Sequence, residues 1–174
     1  SIEELIRYRL NTEHTVERLD SRTIPTEHGE FNLVTYRDKI SRDIHFAMVR
    51  GEVNPAVPTL VRVHVKNPLT DVLHWQRDDF AISAHQAMAL IAQENAGVLV
   101  VFSEPMSSEQ LLEQITEQDG HVAPKIKQWR QNGAGAQILA DLGLSRLRVL
   151  GTPRRQVALA GYGLEVVEYV GLSR

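Results

Sequence analysis

Arg62-Val63-His64-Val65-Lys66-Asn67-Pro68-Leu69-Thr70-Asp71-Val72-Leu73-His74-Trp75-Gln76-Arg77-Asp78-Asp79-Phe80 lies where a strand-like pattern gives way to a helical one. Its beginning completes a β-branched run, Thr59 to Val65, that reads as a strand. From Asp78 onward the period changes: Phe80, Ala84, Ala87, Met88 and Ile91 share one helical face, with Gly97 as the expected stop. Upstream, Phe31 to Tyr36 alternates as a half-buried strand does, a turn spans Asp38 to Asp43, and Ile44 to Val49 forms a second strand closed by Gly51. Three strands joined by short connections predict an antiparallel start to the sheet.

Downstream, Val98-Leu99-Val100-Val101-Phe102 is a continuous apolar run, which suits a strand covered on both faces. Ser107-Ser108-Glu109-Gln110 has capping-box spacing and opens a helix through Leu111, Leu112 and Ile115 that Gly120 stops. Pro124 to Asn132 is polar with some helical character, and Gly135 to Leu139 starts a short helix ended by Gly143. Arg146 to Leu150 reads as a strand, Pro153 to Ala160 as a helix and Leu164 to Val170 as a final strand. Strand and helix alternate through this half, so the fold class is α/β (mixed α+β), a mixed sheet with flanking helices. At the other end, Ser1 to about Leu19 reads as a helix, with Ile2, Leu5, Ile6, Val16 and Leu19 near helical spacing and Glu3 and Glu4 in its first turn.

A chain of 174 residues buries one good core. Hydrophobic residues at 43% and charged residues at 24% are ordinary globular values. A net charge of −3 gives no basic face for nucleic acid. No apolar run approaches the ~20 residues that span a bilayer, and no signal-like start is visible. There are no cysteines, which excludes disulfides, thiol catalysis and any cysteine-based metal site. A cytoplasmic location is the expectation.

The opening stretch resembles the zinc-site segment of GTP cyclohydrolase II, which opens the guanine ring in riboflavin biosynthesis. That family reads Arg-Val-His-Ser-Glu-Cys-Leu-Thr-Gly-Asp, then Arg-Cys-Asp-Cys-Gly. Laid on this chain without a gap, Arg62, Val63, His64, Asp71, Arg77 and Asp79 match. The resemblance covers nearly everything after the first helix. It is strongest at Gly135-Ala136-Gln137-Ile138-Leu139, Asp141-Leu142-Gly143 and Gly161-Tyr162-Gly163-Leu164-Glu165-Val166. It implies the GTP cyclohydrolase II-like fold over residues 23–174. It also implies that residues 1–22 are a connector helix, following an N-terminal dihydroxybutanone phosphate synthase domain in a bifunctional protein. The expectation is therefore an excised C-terminal domain, with a homodimer as the expected assembly.

The same resemblance implies that the chemistry has gone. The three metal-ligand cysteines fall on Asn67, Asp78 and Phe80. Zinc needs soft or borderline ligands and an open position for water, so no metal is expected at these three. The family's Gln-Glu-Gly-Arg-Gly-Ile-Gly becomes Glu104-Pro105-Met106-Ser107-Ser108-Glu109-Gln110, with Ser107 in place of the arginine. Its Asp-x-Arg-x-Tyr becomes Gln128-Trp129-Arg130-Gln131-Asn132. Arg130 is retained, but the proton-accepting acid is now Gln128 and the tyrosine is Asn132. Its Thr-Asn-Asn-Pro-x-Lys is shortened to Gly151-Thr152-Pro153-Arg154-Arg155.

Two functions of different classes follow. One is a non-catalytic structural or regulatory partner of the synthase half, whose own lyase chemistry uses Mg²⁺, with an inert remnant as its weaker form. The alternative is a nucleotide domain. At its least it keeps weak affinity for GTP or phosphate through Arg130, Thr152, Arg154 and Arg155. At its fullest it is an active hydrolase giving a diaminopyrimidine, formate and pyrophosphate. Arg130, Arg154 and Arg155 are equally consistent with a solvated basic face. Of the seven histidines, His64 and His74 with Asp78 make the best trio for a rebuilt metal site, although satisfied or exposed histidines are the stronger expectation. Gly133-Ala134-Gly135 lacks a feeding strand and a third glycine, so it reads as a turn and helix start.

Overall fold

The computed structural model describes residues 1–117, 125–151 and 159–171. Helix α1 (Ile2–Thr12) precedes strands β1 (Val16–Thr26), β2 (Gly29–Asp38), β3 (Ile44–Arg50) and β4 (Thr59–Val65). The short α2 (Pro68–Asp71), α3 (Ala84–Ile91), β5 (Gly97–Phe102) and α4 (Ser108–Thr116) follow. Then come α5 (Lys125–Asp141), β6 (Arg146–Leu150), a 3-10 turn (Ala160–Tyr162) and β7 (Glu165–Val170). The strands form one sheet in the order β1-β2-β3-β5-β4-β6-β7. It is antiparallel from β1 to β5 and parallel from β5 through β4 and β6 to β7.

β5 lies at the centre, and every one of its residues is buried. Because successive side chains point to opposite faces, its apolar run feeds two cores at once. Val98, Val100 and Phe102 join Val34, Ala47, Val61 and Ile138 on the α5 face. Leu99 and Val101 join Met48, Leu60, Ala87 and Ile91 on the α3 face. Both faces are therefore covered by helices, as the predicted mixed α/β architecture requires. No described helix is long and apolar enough to cross a membrane.

Several local expectations are corrected. The first helix stops at Thr12 rather than near Leu19, and Val16–Thr26 is an edge strand paired with β2 along its length. Its mostly exposed residues carry no apolar alternation, so the spacing of Val16 and Leu19 imitated a helix. Residues 16–22 thus belong to the sheet, not to a connector helix. The third strand, β4, is not beside β3, because β5 inserts between them.

The helix expected from Asp78 begins only at Ala84, where Ser83 forms a capping box with Gln86. Gly97 does not end that helix but starts β5, where a Cβ would fall 2.7 Å from Ile91 Cγ2. Its missing side chain lets α3 lie close on the sheet. Gly133 and Gly135 lie inside one continuous α5 rather than at a turn. Ser107 does cap α4 as predicted, with Gln110 reciprocating. The stop at Gly120 and residues 153–158 of the helix expected at 153–160 lie outside the described residues.

Candidate functional site

The site starts where β4 leaves the sheet. His64, 3% exposed, points to the α3 side of β4, and its Nε2 lies 2.9–3.0 Å from both carboxylate oxygens of Asp71. Asp71 also accepts hydrogen bonds from the backbone N–H of Asn67 (2.9 Å) and of Ala84 (2.8 Å). One carboxylate therefore joins a strand, the start of α2 and the start of α3. Burial pushes the Asp71 carboxyl up, but His64 and the two backbone N–H groups outweigh it and hold the pKa below the ordinary value.

Of the three positions that the resemblance aligns with zinc ligands, Asn67 and Phe80 make contacts of their own. Asn67 is the N-cap of α2: its Oδ1 accepts from Leu69 N–H at 3.0 Å, and its Nδ2 donates to Gln114 Oε1 at 3.0 Å. Phe80 meets Trp75 edge-on at 5.3 Å between ring centroids, and the Arg77 guanidinium lies 4.0 Å from the Phe80 centroid and 4.9 Å from that of Trp75. Arg77 in turn grips Asp79 with two hydrogen bonds, at 2.5 and 2.9 Å, which lowers the Asp79 pKa. Asp78 is exposed on the same loop. A capping amide whose oxygen is engaged, an aryl ring under a guanidinium and one exposed carboxylate do not fit the zinc site that the resemblance implies.

Beside this loop is a pocket of about 470 Å³, lined by Thr70, His74, Trp75, Arg77, Phe80 and Leu90 among others. Sequence reasoning missed the Trp75–Arg77–Phe80 stack. An aromatic–Arg–aromatic pattern inside a polar loop was the available signal. The trio His64, His74 and Asp78 is not assembled: His64 is committed to Asp71, and His74 faces His85, 6.2 Å away between ring centroids.

The other expected positions divide in two. Ser107, at the family's arginine position, spends its hydroxyl capping α4. Gln128, Arg130 and Asn132 fall on α5, and their side chains lie outside the described residues. Thr152, Arg154 and Arg155 also lie outside them.

A central strand covered by helices on both faces, with the His64–Asp71 corner at the end of β4, makes this a mixed α/β domain. The chain belongs to the GTP cyclohydrolase II family, whose model matches residues 17–171. It is 41% identical to a 3,4-dihydroxy-2-butanone 4-phosphate synthase of Pseudomonas syringae, over 98% of this chain and 47% of that protein. It is 34% identical to the riboflavin biosynthesis protein RibBA of Cytophaga hutchinsonii, over 99% of this chain and 46% of the relative. Among solved structures it resembles RibBX of A. baumannii, a two-domain 3,4-dihydroxy-2-butanone 4-phosphate synthase. The TM-score is 0.72 and the identity 38%, over 99% of this chain and 45% of that one. The chain thus spans about half the length of these relatives, which are riboflavin-biosynthesis proteins.

Proposed function

We propose that this chain is a cyclohydrolase-fold domain without cyclohydrolase activity, and that it acts as the structural or regulatory partner of a dihydroxybutanone phosphate synthase domain. The observation that carries the reading is the chemistry at the three positions aligned with the family's zinc ligands, two of which are engaged in other contacts. Asn67 caps a helix, Phe80 stacks under Arg77, and Asp78 is an exposed carboxylate. Hydrolytic ring opening needs a nucleophile generated at neutral pH, and zinc-bound water is how such a site makes one. Gln128 and Ser107, at the proton-acceptor and arginine positions of the resemblance, cannot ionise to do that work.

The partner role is supported by relatives about twice as long that carry the synthase name. It is also supported by an apolar surface on α1, where Ile2, Leu5 and Tyr8 are 80%, 58% and 66% exposed. In this reading the chain is the C-terminal half of a cytoplasmic, homodimeric protein whose synthase half uses Mg²⁺. Any remaining nucleotide affinity is weak and rests on Arg130, Thr152, Arg154 and Arg155. Coupling between the halves requires contacts that differ between active and inactive synthase, worth about 1–3 kcal/mol.

Two measurements test this. GTP incubated with the chain, Zn²⁺ and Mg²⁺ should release no formate; sustained release overturns the loss of activity. Deleting residues 1–174 from the intact protein should lower synthase turnover or dimer affinity, with recovery when the chain is added in trans. Unchanged turnover, stability and assembly after deletion overturn the partner role.

A further inference from the structure

The tight turn between β1 and β2 carries Glu27 and His28. It is closed by Thr26 Oγ1, which donates to Gly29 O at 2.7 Å and accepts from His28 N–H at 3.1 Å. The first turn of α3 brings His85 against it. The two imidazole rings lie 4.6 Å apart between centroids at 53°, and Glu27 Oε2 is 3.7 Å from His85 Nε2. One ligating atom from each of the three residues lies within 4.8 Å of the other two.

A second, independent observation concerns His28. Its Nε2 is buried and has no hydrogen-bond partner, a condition that costs about 1–3 kcal/mol if nothing meets the atom. Two imidazoles and a carboxylate with ligating atoms this close, one ring carrying an unsatisfied nitrogen, are a donor set for a borderline divalent cation. Tetrahedral zinc with bonds of about 2.0–2.1 Å places its ligand atoms roughly 3.3 Å apart. Closing the 3.7 Å gap is a small movement, since the Glu27 and His85 side chains are 82% and 49% exposed and free to adjust.

Asp43, His45 and Glu104 also cluster, but they cannot serve in the same way. Ser103 N–H donates to His45 Nδ1 at 3.2 Å, so the neutral ring carries its proton on Nε2 and has no lone pair left.

We propose that Glu27, His28 and His85 form a three-ligand site for a borderline divalent cation of the zinc class, with water completing the coordination. None of the three occupies a former zinc-ligand position, so the site is independent of Asn67, Asp78 and Phe80 and of the reading that cyclohydrolase activity is absent.

The test uses the 174-residue chain without an affinity tag, stripped with chelator and titrated with Co²⁺ alone. Ligand-field absorption should saturate at one Co²⁺ per chain and be displaced by Zn²⁺. His85→Asn and His28→Asn should each weaken binding by at least the roughly 10- to 100-fold that loss of an outer-shell partner costs. His14→Asn, exposed at the end of α1, should leave it unchanged. If His28→Asn fails to fold, His85→Asn decides, because His85 is half exposed on α3. No saturable absorption, equal binding in His85→Asn, or loss of binding only in Glu104→Gln overturns the proposal.

Discussion

On the α5 face of the sheet, Gln137 is 7% exposed and fully engaged. Its Oε1 accepts from the backbone N–H of Thr15 and Val16, and its Nε2 donates to Thr15 Oγ1. At the end of β4 on the opposite side, Asp71 does equivalent work for His64, Asn67 and Ala84. The loop just beyond it, from Val72 to Ile82, does not. There Arg77 pairs with its near neighbour Asp79, and Trp75 and Phe80 stack on each other. Gln137 and Asp71, both shared with the cyclohydrolase pattern, join elements distant in sequence. Phe80, which departs from it, stacks on Trp75 and Arg77 of its own loop. Substitution in a loop held by local contacts disturbs less of the fold than substitution at a residue that joins distant elements.

The comparison breaks most sharply at Asp71. Asp71→Ala removes one carboxylate from three partners, two of them backbone N–H groups, and should cost about 3–5 kcal/mol in urea unfolding. A loss under about 1 kcal/mol would place the corner with the replaceable loop. The same group sets a pH dependence. Its folded pKa is depressed, so between that value and the unfolded value of about 3.9 the unfolded chain binds more protons. The contribution is complete above about pH 3.9, is lost as pH falls below it, and should be absent in Asp71→Ala.

His45 behaves likewise at higher pH. Burial lowers its pKa, against the pull of Glu104, Asp38 and Asp43, so its contribution is complete above about pH 6.5 and falls away below. Urea midpoints measured from pH 3 to 8 should show both slopes, with the upper one flattened in His45→Gln.

Gln137→Leu tests the other pole. It leaves the N–H groups of Thr15 and Val16 unpaired beneath α5, at about 2–3 kcal/mol. Asn67→Ala should cost less, about 1–2 kcal/mol, for the lost cap of α2 and the bond to Gln114. If Asn67→Ala were the costlier of the two, the former ligand position would be part of the scaffold.

How much the sequence revealed follows the same division. Strands β2 to β5 were legible because their side chains alternate or are apolar throughout, and α4 because Ser107 and Gln110 sit at capping-box spacing. β1 was not, since an exposed edge strand leaves no periodic trace and its anchor, Gln137, is far along the chain. The insertion of β5 between β3 and β4 is set by non-local pairing that no local pattern encodes. At the site, resemblance aligned Asn67, Asp78 and Phe80 with the family's ligands but said nothing of their contacts. The partners of Asp71 and the meeting of His28 with His85 exist only once α3 folds onto the sheet.

The smallest effect should come from Gly135, and its sign is the informative part. Glycine within a helix costs about 0.5–1 kcal/mol relative to alanine, and the paired glycines here hid the continuity of α5. If close packing demanded Gly135, an added Cβ would collide with the sheet. It would instead lie 3.6 Å from Phe102 Cζ and 3.8 Å from Val63 Cγ1, which is ordinary van der Waals contact. Gly135→Ala should therefore stabilise the chain by about 0.5–1 kcal/mol, chiefly by narrowing the unfolded ensemble. A rise in urea midpoint at unchanged slope would show that the glycine of this motif is not needed for packing. A fall would mean that α5 sits on Phe102 with no tolerance for a methyl group, and the α5 face would then be as demanding at its glycines as it is at Gln137.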